Sequence, residues 1–275
     1  MRTSKAEKAW NKTINDNNNI KYNLDNQGYS IITADQIKEA TKDFKASSET
    51  EIRLLNNYWN SPRIVDGKSF GGFPLSRNTW IIGNVDIFEK LSYNKVAITI
   101  EPPILNISSL ETLHIGGIHT ETQMFSYLLA CEIFDSIFND IFKPTLGGKM
   151  NSGKFIFSTP IIGFNKNAEF SVNDAQLEID QCIEGKEHVI IFEGKSAPKK
   201  IFNIRQLYYP FRYISKHTTK QIYVGFCALS KNKNIINVFI YEFKDKNNIN
   251  SLSLYGIYNI KVNKPEQTSY MNIGF

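Results

Sequence analysis

Apolar positions recur at intervals of three and four across residues 119–142, where Met124, Tyr127, Leu128, Cys131, Phe134, Phe138 and Ile141 form one stripe that Pro144 ends. This spacing predicts the longest helix of the chain. Nearer the start, Thr33 followed by Gln36 has the form of a capping box and predicts a helix over residues 34–44, with Ile37, Ala40, Thr41 and Phe44 on its inner face. A second helix is predicted over 49–58, on the stripe Ile52, Leu55 and Tyr58. The opening stretch to Asp25 is polar and Asn-rich apart from Trp10, which predicts only a weakly packed helix. The break at residues 46–48 leaves two readings of this region: a small helical or winged-helix-like unit, or a helical cap on the main domain.

Residues 61–75, with the run GGFP, are expected to form a loop. Their glycines lack the spacing and the Lys-Ser/Thr end of a phosphate-cradling loop. Strands are predicted at 78–88, 95–100, 154–158, 175–183, 189–195, 221–229, 235–243 and 254–262, and a helix kinked at Pro210 over 201–217. The order predicts an α/β (α+β) fold with a mixed central β-sheet flanked by helices, an N-terminal helical region over 1–70 and a main domain over 71–275.

Composition changes this picture little. The 275 residues are 41% hydrophobic, enough for a sizeable core, and the 13% aromatic share argues against disorder. An excess of 32 Lys and Arg over 27 Asp and Glu is compatible with a polyanionic partner without establishing one. Cys131, Cys182 and Cys227 are far apart and show no CxxC spacing, which points away from a zinc site or disulfide framework and towards a reducing compartment. No apolar run reaches the roughly 18 residues of a membrane span, so a cytoplasmic protein that makes no membrane contact is expected.

The chemistry concentrates on two predicted strands. In QLEIDQC, alternation puts Glu178 and Asp180 on one side and Leu177 and Ile179 on the other; in VIIFEGK, Glu193 and Lys195 share a face. A charged turn at 184–187 pairs the strands as a hairpin and brings Asp180 towards Glu193. Carboxylates gathered in this way are costly unless paired, and a divalent hard cation resolves the conflict. Asp180, Glu193 and the Gly194 backbone carbonyl are the expected metal ligands, with Lys195 assisting the attacking water. Taken alone, this spacing also fits a solvated strand face with surface ion pairs.

Asp180, then Glu193-Gly194-Lys195 thirteen positions later, then the helix IRQLYYPFRY together resemble the PD-(D/E)xK nuclease superfamily. More narrowly, Glu178-Ile179-Asp180, Arg205 to Pro210 and the upstream PLSRNTWIIG at residues 74–83 resemble a group of bacterial type II restriction endonucleases. The resemblance spans residues 71–260. It implies a restriction-endonuclease-like core, Mg2+-dependent hydrolysis of double-stranded DNA at a short specific site, a homodimer, a bacterial cytoplasmic setting and a cognate DNA methyltransferase. No Pro precedes Asp180, and Gly194 stands where Ala is commoner. Two other readings stay open: a structure-selective or repair nuclease of the same fold, and a DNA-binding module that does not catalyse.

Supporting roles follow by position. Glu121 either supports the metal shell, as the resemblance implies, or complements the dipole of its helix. Glu178 shares the face of Asp180, and Gln206 is placed to hydrogen-bond Glu193 or a phosphate. Arg205 and Arg212, seven apart on one helical face, are candidate DNA contacts, as are Lys149, Lys154 and Lys199. Tyr208, Tyr209, Phe211 and Tyr213 are read as packing residues, and His188 as structural.

Overall fold

The computed structural model describes residues 5–43, 59–65, 68–93, 95–102, 110, 112 and 117–262. Phe44 and the helix expected at 49–58 lie outside the described residues.

Two helices open the chain, α1 (Lys5–Asn15) and α2 (Asn18–Gln27). They are not weakly packed as expected. Trp10 is fully buried and meets Trp59 and Trp80 edge-on, with ring centroids 5.2 and 6.1 Å away. One indole among polar residues anchors the helix because its partners arrive from distant sequence. Strand β1 (Tyr29–Thr33) then runs into α3 (Ala34–Ala40) through the expected capping box, in which Thr33 Oγ1 accepts from the Gln36 N–H at 3.3 Å and Gln36 Oε1 accepts from the Thr33 N–H at 2.8 Å.

The segment 61–75 is not a loop. It forms β2 (Arg63–Val65) and β3 (Lys68–Pro74), which join β4 (Thr79–Gly83) and β1 in an antiparallel sheet ordered β1-β4-β3-β2. A Cβ on Gly72 would stand 2.7 Å from the Trp59 ring, so the glycine marks an indole lying against strand backbone rather than a turn. This sheet crosses the anticipated boundary at residue 70. Trp80 and Ile82 face the helices, whereas Phe73 and Ile81 join the core of the main domain.

That domain runs through β5 (Phe88–Lys90), β6 (Ile98–Ile100), α4 (Glu121–Ala130), α5 (Ile133–Phe138), β7 (Lys143–Pro144), β8 (Gly148–Asn151), β9 (Lys154–Ile161) and β10 (Lys166–Asn173). It continues through β11 (Gln176–Ile179), β12 (Gln181–Glu184), β13 (His188–Lys195), β14 (Ile201–Asn203), α6 (Arg205–Ile214), β15 (Gln221–Leu229), β16 (Ile235–Phe243) and β17 (Leu252–Lys261). Seven strands form a mixed sheet ordered β6-β17-β16-β15-β13-β12-β7, parallel at β13–β15 and β17–β6. Val189 and Ile191 of β13 pack with α6, and Ile190 and Phe192 pack with α4 and α5. The fold is therefore a mixed α/β architecture with a central sheet flanked by helices.

Three expected elements divide. The 119–142 helix breaks where Glu132 takes a left-handed φ of 52°, between α4 and α5. The 175–183 strand is two strands: β11 pairs with β8 and β12 with β13, leaving Asp180 at the join. The helix expected from 201 begins at Arg205, because Ile201–Asn203 pairs with β5 as strand, and it runs unbroken through Pro210. No helix among the described residues is long and apolar enough to cross a membrane.

Candidate active site

The hairpin β12–β13 pairs Gln181 with Phe192, so the next step of the register sets Asp180 opposite Glu193. Its turn is held by Asp140, whose carboxylate accepts from the Lys186 and Glu187 N–H groups at 2.9 and 3.0 Å and contacts His188 Nδ1 at 3.1 Å. Two elements then close on the open end of β13. Gly194 faces α4, where a Cβ would lie 2.7 Å from the Phe125 ring and 3.1 Å from Met124; its missing side chain lets α4 approach and brings Glu121 to the strand end. Glu193 and Lys195 face α6, which supplies Arg205 and Gln206.

A polar cleft of about 380 Å³ results, with Glu121, Glu178, Asp180, Glu193, Arg205 and Gln206 in its walls. Lys195 Nζ is its hub. The ammonium donates to Glu193 Oε1 and to the Gly194 carbonyl, the latter at 2.6 Å, and stands 4.0 Å from both Asp180 and Glu121. Gln206 Nε2 donates to the same Glu193 oxygen, and the Gly194 N–H donates to Asp180 Oδ2 at 2.8 Å. Asp180 is thus fixed by backbone and Glu193 by side chains.

Electrostatics follow from burial. Glu193 is only 6% exposed, and loss of solvent, reinforced by the charge of Asp180, pushes its carboxyl up to about 7 against the pull of Lys195. Burial pulls the Lys195 ammonium down, but Glu193, Asp180 and Glu121 together outweigh it and hold the pKa above the usual lysine value. The lysine stays charged, and Glu193 is the group that titrates near neutrality. Burial also lowers the Arg205 pKa, with Tyr209 and then Glu193 and Glu178 opposing the shift; its guanidinium lies 5.7 Å from the Tyr209 ring centroid.

Eight of the expected site residues therefore converge: Glu121, Glu178, Asp180, Glu193, Gly194, Lys195, Arg205 and Gln206. Lys149 sits at the rim, 3.9 Å from Glu178, and Lys199 lines an adjoining cavity. Lys154 is exposed at the start of β9 and does not line the cleft. Arg212 is a correction. It is buried, its guanidinium donates to the Ile156 and Lys246 carbonyls at 2.8 and 2.6 Å, and it stacks on Phe155, so no DNA phosphate can reach it. Seven residues along the helix is a rise of about 10 Å, and at that level the stripe begun by Arg205 is roofed by β9. Asn60 and Pro210, which also line the cleft, were not foreseen. For Asn60, the only local signal is its place beside a tryptophan.

Among the described residues, no group of three or more His, Cys, Asp or Glu side chains is close enough to hold a metal ion by side chains alone. The donor set that is present is two carboxylates and a main-chain carbonyl around one point, where the Lys195 ammonium supplies the positive charge. Hard oxygen donors of this kind suit Mg2+.

Comparison with curated proteins and with solved structures finds no match. Residues 83–259, which carry all eight converging residues but not Asn60, match the model of a family described as a domain of unknown function (DUF6997), and the chain belongs to that family.

Proposed function

We propose that the protein is a magnesium-dependent endonuclease of the type II restriction class, with a PD-(D/E)xK site on a restriction-endonuclease-like core. The observation that carries this reading is the opposition of Asp180 and Glu193 across one hairpin, with the Lys195 ammonium between them. On this reading Asp180, Glu193 and the Gly194 carbonyl hold the metal, which when bound supplies positive charge to the phosphodiester and acidifies a water. Lys195 orients that water and takes up charge developing on the phosphoryl oxygens. Gln206 fixes the rotamer of Glu193, and Glu121 keeps a carboxylate within reach of the lysine. Arg205 offers a guanidinium to the phosphate from the α6 side. The substrate is double-stranded DNA with a short recognition site. A homodimer cuts both strands, and a methyltransferase protects the host DNA in the bacterial cytoplasm.

The test is incubation of the purified protein with phage DNA and Mg2+ beside Lys195→Ala and Asp180→Ala. Discrete fragments are expected from the wild type, with cleavage at least about 100-fold slower in either variant. Undiminished cleavage by both variants, or no Mg2+-dependent cleavage of any DNA, overturns the proposal. Preference for nicks, flaps or junctions over an intact site replaces restriction with structure-selective cleavage.

A further inference from the structure

The cleft has a second lobe of opposite charge. Asn60, Lys195 and Gln206 line both the carboxylate lobe and an adjoining cavity of about 370 Å³. The rest of that cavity's polar wall is Ser61, Arg63, Lys199 and Lys200, over an apolar floor that includes Phe202 and Phe226. Among the described residues, no Asp or Glu lines it. Four acidic residues thus face one side of the shared wall, and Arg63, Lys199 and Lys200 face the other.

Both basic walls are held by backbone. The Tyr93 hydroxyl donates to the Lys199 carbonyl at 2.8 Å and accepts from its N–H at 3.2 Å, and the Leu91 N–H donates to the Lys200 carbonyl at 3.0 Å. On the other side, Arg63 pairs with Phe70 across β2–β3, and the Asn203 side chain donates to the Trp59 carbonyl at 2.8 Å, immediately before Asn60. A concave, cation-rich cavity without a carboxylate in its wall matches an anionic group.

We infer that this lobe binds a phosphate ester of the substrate strand adjacent to the one cleaved, and that residues 60–63 complete the site from outside the matched family region. The strand's identity rests on the nuclease reading; the anion preference rests on the lobe's own residues. The phosphate is either an internal diester of a continuing strand or a terminal monoester.

The full-length protein is titrated in EDTA with a 5′-phosphorylated thymidine dinucleotide and with the same dinucleotide lacking that phosphate. The titrations are repeated with Arg63→Gln, with the double variant Lys199→Ala/Lys200→Ala and with Asp180→Asn. Binding is expected to weaken about tenfold in each lobe variant, with a shallower salt dependence, and to hold or tighten in Asp180→Asn. Equal binding of the two probes assigns an internal diester; binding of the phosphorylated probe alone assigns a terminal monoester. Affinity unchanged in both lobe variants, or no binding of either probe, overturns the inference. Because no metal is present, lobe-dependent binding without any Mg2+-dependent cleavage removes the nuclease reading and keeps the lobe. Cleavage with an unaltered KM in the lobe variants does the reverse. Matching thermal transitions for the variants and the wild type show that the fold is intact.

Discussion

Glu193 carries the sharpest electrostatic consequence of the site. Its carboxyl, pushed up to about 7 by burial and by Asp180, binds its proton more tightly in the folded chain than in the unfolded one, where the value is ordinary. Between pH 4.5 and 7 the folded state therefore holds more protons, and stability falls as pH rises through that window, then levels off. The full span is on the order of 3 kcal/mol. Glu193→Gln keeps an acceptor for Gln206 and Lys195 but cannot ionise. In EDTA, its melting temperature is expected to lose this decline and to exceed that of the wild type above pH 7, read by thermal denaturation across pH 5–8. A wild type whose stability does not fall over that range would show that Glu193 is already charged and paired. This deficit is what a bound cation would relieve, so the residue that weakens the metal-free fold is the one the proposed chemistry needs.

At the scale of elements, the site depends on how closely α4 meets β13. Gly194→Ala places a methyl group against Phe125 and Met124, and this helix cannot yield without moving Glu121. A loss of about 1–3 kcal/mol is expected, measured by urea denaturation, together with reduced cleavage; an unchanged midpoint would show that α4 can retreat freely. Much of this arrangement is legible in the sequence, because it is local. The hairpin follows from apolar runs either side of a charged turn, and alternation along VIIFEGK puts Glu193 and Lys195 together. What is not legible depends on distant partners. GGFP has the composition of a loop, yet it pairs with β4 as a strand, and Gly72 leaves its backbone bare where Trp59 lies against it. Residues 201–203 continue a helical pattern, yet they pair with β5 more than a hundred residues earlier. The same blindness hides Asn60 and Arg63, which share a cavity with Lys199 and Lys200 through tertiary folding alone, and it misplaces Arg212, whose helical phase is right but whose roof comes from β9.

For the whole molecule, the question is whether the N-terminal sheet is an appendage or part of the site. Asn203 ties the two together. It is fully buried; its amide donates to the Trp59 and Gly72 carbonyls at 2.8 and 3.1 Å, and its Oδ1 accepts from the Arg205 N–H at 3.0 Å, at the start of α6. One side chain thus joins the segment that carries Asn60 to the helix that carries Arg205 and Gln206. Asn203→Leu fills similar space but strands two buried carbonyls and a partly buried N–H, at a cost on the order of 3 kcal/mol. The three tryptophans of the chain, Trp10, Trp59 and Trp80, all lie in the N-terminal cluster, so indole fluorescence follows that unit alone while far-UV circular dichroism follows the whole fold. In the wild type the two unfolding curves are expected to coincide, because Phe73 and Ile81 also share the main core. In Asn203→Leu the fluorescence transition should move to lower urea ahead of the dichroism, and cleavage should fall although Asp180, Glu193 and Lys195 are untouched. Coincident curves at the wild-type midpoint would mean that the shared apolar core alone holds the N-terminal sheet in place, and that the cleft does not depend on this amide.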